Sequence, residues 1–66
     1  MKIWVNGEER DVENGQSVTE LLESLGNGQR RIAVEINLEI VPRSTYHTHS
    51  LQAGDRVEIV QAIGGG

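Results

Sequence analysis

The side chains able to do chemistry are few and poorly grouped. His47-Thr48-His49 sets two imidazoles one residue apart, and on a strand both would share a face and could reach one zinc ion. A closed structural zinc site needs four ligands, and the chain has no cysteine to supply a thiolate. The pair reads as part of a solvated loop. Tyr46 beside it reads as a ring that packs, not as a base. The carboxylates Glu8, Glu9, Asp11, Glu13, Glu35, Glu39, Asp55 and Glu58 are scattered along the chain. No HExxH, no GxSxG and no phosphate loop ending in Gly-Lys-Ser/Thr occurs. Gly26-Asn27-Gly28 lacks the strand-before, helix-after setting of a nucleotide loop. No catalytic residue and no metal site is expected, and the chain reads as a non-enzyme.

A different reactive group is offered by Gly64-Gly65-Gly66, which follow the apolar run from Val57 to Ile63. Glycine has no Cβ and a permissive backbone, so three in a row form a thin tail ending in a carboxylate. Such a tail can thread a narrow channel into another protein's active site. The plain alternative is a frayed terminus, because chain ends tolerate disorder and change.

The tail must be presented by something small. Sixty-six residues allow one domain with a thin core, and without cysteine that core is held by packing alone. The expected division is a folded domain over residues 1–63 and a flexible tail over 64–66. Ten acidic residues against six basic ones give a net charge of -4, which opposes a nucleic-acid or anionic-membrane partner. Arg30-Arg31 is too small a basic pair to reverse that. No apolar run reaches membrane-spanning length, and Met1-Lys2-Ile3-Trp4 leads into Asn6-Gly7-Glu8-Glu9, not into a signal-peptide core. A soluble cytoplasmic protein is the expected setting.

The elements follow from hydrophobic period. Met1, Ile3 and Val5 alternate with Lys2, Trp4 and Asn6, the pattern of a strand with one buried face. Asn6-Gly7 predicts a type I′ hairpin turn, and Glu8 to Val12 return as a polar strand near a sheet edge. Asn14-Gly15 marks another turn. Ser17 and Glu20 form a capping box ahead of Val18, Leu21, Leu22 and Leu25, one apolar helical stripe that Gly26-Asn27-Gly28 ends. Ile32, Val34 and Ile36 make the next strand. Asn37-Leu38-Glu39 should turn the chain into a short segment, Ile40-Val41, that Pro42 ends or holds at an edge. Arg43 to Ser50 has no period and reads as an irregular or single-turn connection anchored by Leu51. Ala53-Gly54-Asp55 turns into the last strand, with Val57 and Ile59 inward. The order β-β-α-β-β-β, with one helix laid across a mixed sheet and the first strand beside the last, is an α+β roll of four to five strands. Trp4 and Val60 then face away from the helix. With Ala62 and Ile63 they form a candidate partner-docking surface.

Over its whole length the chain resembles the small sulfur-carrier proteins of thiamine biosynthesis, a ubiquitin-like β-grasp family. The resemblance rests on Ile3-Trp4-Val5-Asn6-Gly7, Val18-Thr19-Glu20-Leu21-Leu22-Glu23-Ser24-Leu25, Ala33-Val34-Glu35-Ile36-Asn37, Ile40-Val41-Pro42-Arg43, Gly54-Asp55-Arg56-Val57-Glu58-Ile59-Val60 and the closing Gly65-Gly66. It implies that Gly66 carries the covalent adenylate and then the thiocarboxylate, with Gly64 and Gly65 threading the partner's channel. The implied partners are a ubiquitin-activating-type adenylyltransferase, thiazole synthase and a sulfur-donor pathway that includes a cysteine desulfurase. The chain itself would bind no cofactor; Mg-ATP is used by the activating partner. Two alternatives stay open: a carrier of the same fold that feeds molybdopterin synthesis, and a β-grasp interaction module whose glycines are incidental.

Overall fold

In the computed structural model, which describes residues 1–26 and 31–61, β1 (Lys2–Val5) buries Ile3 and Val5 and turns Lys2 and Trp4 outward. Asn6 and Gly7 follow with φ of 50° and 84°, the two positive values of a type I′ turn. That turn returns the chain as β2 (Glu8–Asp11), which pairs antiparallel with β1, is exposed along its length and forms one edge of the sheet. An all-charged edge strand discourages pairing with a second molecule.

The helix α1 (Val18–Ser24) begins as expected. The Ser17 hydroxyl accepts from the Glu20 N–H at 3.1 Å, and the Glu20 carboxylate accepts from the Ser17 N–H at 2.9 Å. Seven residues are too few for a stable isolated helix, so α1 depends on burying Val18, Leu21 and Leu22. Leu25, half-buried, is the C-cap, and Gly26 follows with φ of 80°; Asn27 and Gly28 lie outside the described residues.

β3 (Ile32–Ile36) pairs antiparallel with β4 (Glu39–Ile40) and with β5 (Arg56–Gln61). The short strand starts one residue earlier than the Ile40-Val41 expected from sequence. Asn37 and Leu38 both have positive φ, 54° and 72°, so they alone make the turn and Glu39 already pairs with Ile36. Val41 instead points into the core, with its N–H on the Val34 carbonyl at 2.9 Å.

The five strands lie in the order β2-β1-β5-β3-β4, with β1 and β5 parallel at the centre and antiparallel hairpins on both flanks. The helix stripe and the inner sheet face share one core with Val41, Tyr46 and Leu51. This is the β-grasp arrangement, with five strands among the described residues where four to five were expected.

The aperiodic stretch after Pro42 is a 3₁₀ turn (Arg43–Thr45) and a tight loop. Its carbonyls cap the helix. Val18 N–H donates to His49 O at 3.0 Å and Thr19 N–H to Tyr46 O at 3.2 Å. The first N–H groups of a helix have no partner within it, so this loop and the capping box together satisfy them.

Candidate functional site

β5 is the strand that leads toward the glycine tail, so its surroundings form the described part of the site. Ala62, Ile63, Gly64, Gly65 and Gly66 lie outside the described residues, and so does the boundary between 63 and 64. Trp4 and Val60 fall within them. Both stand on the sheet face away from the helix, Trp4 36% and Val60 58% exposed. They are not neighbours. Trp4 is level with Arg56, and Val60 lies four positions further along, roughly 13 Å at the rise of a strand. Glu58 stands between them on the same face, and Ala33 is the cross-strand neighbour of Val60.

The charges of this open face are uneven. Lys2 and Glu9 meet at 2.7 Å, and the hydrogen bond with Glu9, followed by its charge, holds the Lys2 ammonium above its ordinary pKa. Glu35 and Glu58, by contrast, sit directly opposite each other on β3 and β5. Among the described residues neither has an ion-pair partner. Like charges in direct opposition weaken a sheet slightly, so this pair is not there to stabilise it. At the β3–β4 turn, Leu38 (89% exposed) and Ile40 (75%) add apolar surface at the corner remote from Gln61.

β5 is held unequally along its length. At its start, Asp55 is buried, and its carboxylate accepts from Asn37 Nδ2 at 3.0 Å and from the Gln52 N–H at 2.9 Å. At its far end, Asn6 supplies two contacts from one side chain. Asn6 Oδ1 accepts from the Ile59 N–H at 2.8 Å, and Asn6 Nδ2 donates to the Ile59 carbonyl at 3.2 Å. In the sequence, Asn6 and Asn37 read only as turn formers. Both choose asparagine over glycine at a left-handed position, which was the available signal that a side chain is used there.

The imidazoles are placed apart from all this. His47 is exposed, His49 is half-buried beside the helix N-terminus, and no group of three or more His, Cys, Asp or Glu among the described residues could hold a metal. Tyr46 is buried in the core, as expected of a packing ring. Among the described residues no helix is long and apolar enough to cross a membrane.

Comparison with known proteins decides what such a body belongs to. The model of the ThiS family matches residues 3–66, which includes the whole glycine run. The chain belongs to the ThiS family. The chain spans about one fifth of the length of the first two curated relatives it matches, both thiazole synthases, whereas two relatives of about its own length are sulfur carrier proteins ThiS. The chain is 41% identical to the sulfur carrier protein ThiS of Escherichia coli, with all of both chains covered. It is 50% identical over its whole length to part of a thiazole synthase from Paramagnetospirillum magneticum, and spans 20% of that protein's length. Its backbone superposes on the crystal structure of the thiamine biosynthesis protein ThiS from Geobacter metallireducens with a TM-score of 0.86, at 35% identity and full coverage of both chains.

Proposed function

We propose that this chain carries sulfur for thiamine biosynthesis as a thiocarboxylate on Gly66. The observation that carries the reading is the family match running through the glycines at the end of a strand-borne tail. A carboxylate is a poor acylating group, because it would have to expel an oxide. Attack of the Gly66 carboxylate on the α-phosphate of Mg-ATP releases pyrophosphate and leaves an acyl adenylate, whose leaving group is AMP. The activating partner, a ubiquitin-activating-type adenylyltransferase, supplies the magnesium and the cationic groups for phosphoryl charge. A persulfide from a cysteine-desulfurase pathway then displaces AMP to give an acyl disulfide, and a second thiol attacks the donor sulfur, forming a disulfide with it and releasing the Gly66 thiocarboxylate. Thiazole synthase takes the sulfur into the thiazole phosphate ring and returns the carboxylate. Gly64 and Gly65 offer no side chain to obstruct a narrow channel, and Gly66 leaves its carbonyl open to attack from either side.

The body's part is docking. Trp4 and Val60, with Ala62 and Ile63, supply the apolar contacts, and Glu35 and Glu58, facing each other across β3 and β5, favour a partner with basic side chains over the same face. The setting is the cytoplasm, where ATP and the partners meet. The thiamine-linked names of the relatives favour this pathway over molybdopterin synthesis. Intact mass measured before and after incubation with the adenylyltransferase, Mg-ATP and a sulfur donor should show replacement of one oxygen by sulfur. Removing Gly66 should abolish that gain and leave the body folded. Sulfur that still attaches to the shortened chain overturns the proposal.

A further inference from the structure

We infer that Asn6 is a positioning residue for tail activation, because its side chain replaces the backbone that β1 withdraws from β5 just before the tail. The inference rests on the carrier reading above. A parallel ladder is evenly spaced, so its rungs can be counted. Trp4 N–H donates to Asp55 O at 2.9 Å, and Asn6 N–H donates to Val57 O at 2.8 Å. The next rungs would join Ile59 N–H to the carbonyl of residue 6, and Ile59 O to the N–H of residue 8. The chain cannot make them, because Asn6 and Gly7 turn it away with positive φ. The Asn6 amide makes both, its Oδ1 standing in for the missing carbonyl and its Nδ2 for the missing N–H.

Without that amide, among the described residues β5 beyond Val57 would be held from one side only, by the pairing of Glu58, Ile59, Val60 and Gln61 with β3. Residues 62–66 can span at most roughly 17 Å, so the position and direction of Gln61 limit where Gly66 can arrive when the body is docked. Loss of alignment at a reacting group falls on the chemical step, and not on the docking of a remote face.

The test compares the wild type with Asn6→Gly and Asn6→Asp. Glycine keeps the left-handed turn and removes the amide. Aspartate keeps one acceptor but sets a carboxylate oxygen against the Ile59 carbonyl. In Asn6→Gly, amide exchange at Ile59 should accelerate at least about tenfold while Val34, in the core of β3, keeps its protection. With the adenylyltransferase and Mg-ATP, kcat for pyrophosphate release should fall between about tenfold and a hundredfold at unchanged KM. Asn6→Asp should fall between wild type and Asn6→Gly. Ser17→Ala serves as a control that weakens the body elsewhere, and its kcat should match the wild type. If Asn6→Gly keeps the wild-type kcat, or loses activity only through KM, or drops in step with Ser17→Ala, the inference is overturned alone. If the wild-type chain is never adenylated, the carrier reading fails and the inference falls with it.

Discussion

Leu38 is the residue most at odds with local rules. An L-side chain in the left-handed region costs about 1–2 kcal/mol, and Leu38 sits there at φ 72° with almost nothing to pack against. Leu38→Gly should therefore raise stability by about 1 kcal/mol, read as a higher urea midpoint at unchanged slope. A fall would mean that Leu38 packs in solution on something the isolated fold does not present. Ser17 is the opposite case, a residue used fully by its surroundings. Ser17→Ala removes one side of the capping box and should cost about 1 kcal/mol in the same measurement. Lys2 sets a pH dependence. Its folded pKa is raised by Glu9, so the stabilisation is present below the unfolded value and is lost only as pH rises through the folded one. Glu9→Gln should lower the Lys2 titration midpoint and leave stability near neutrality almost flat with pH.

Among the elements, the β3–β5 pair is both the most extensive and the one with an evident internal conflict. Five registered pairs join it, and one of them sets Glu35 against Glu58. Glu58→Gln should stabilise the free protein by about 0.2–1 kcal/mol, more at low salt than at high salt. Under the proposed function it should also weaken binding to the activating partner. A variant that is more stable yet binds equally well would remove the acidic pair from the docking surface. The helix and the loop over 43–50 form a second unit, in which the loop supplies carbonyls to the helix N-terminus and Leu51 anchors the loop in the core. Most of the β-grasp was legible here, since β1, β3, β5 and the helix are announced by their own period or cap and the Asn6-Gly7 turn implies β2. The loop was legible as a single-turn connection anchored by Leu51, but its capping of the helix was not, because backbone carbonyls do it and any residue type can offer those.

For the whole molecule, stability and function use different surfaces. A chain of this length has a total stability of about 3–10 kcal/mol, and truncating one fully buried leucine costs about 2–5 kcal/mol. Leu21→Ala should leave the domain largely unfolded at modest urea concentrations, with thiocarboxylate formation lost in proportion to the folded fraction. Trp4→Ala should act mainly on docking. Its ring is 36% exposed on the open face, so stability should fall less than in Leu21→Ala while affinity for the activating partner drops by about 2 kcal/mol, roughly thirtyfold. Equal affinity would place docking elsewhere on the body. The candidate site was legible in part: Trp4 and Val60 do share the outer face, but their separation by Glu58 depends on a register that no alternation pattern reveals.

The sequence alone determined whatever depends on residues within one turn or one pleat of each other. The Asn6-Gly7 hairpin, the Ser17–Glu20 box, the stripe of Val18, Leu21 and Leu22, and the inward faces of β1, β3 and β5 are of this kind. Their hydrogen bonds and alternation close over a few residues, so the residue types alone specify them. The tertiary structure decided the strand order, the parallel contact of β1 with β5, and the grip of Asn6 on Ile59 across 53 residues of chain. An asparagine advertises that it can hydrogen-bond, but not to which strand. Only once the core has drawn the two ends of the chain together does its amide find the backbone it completes.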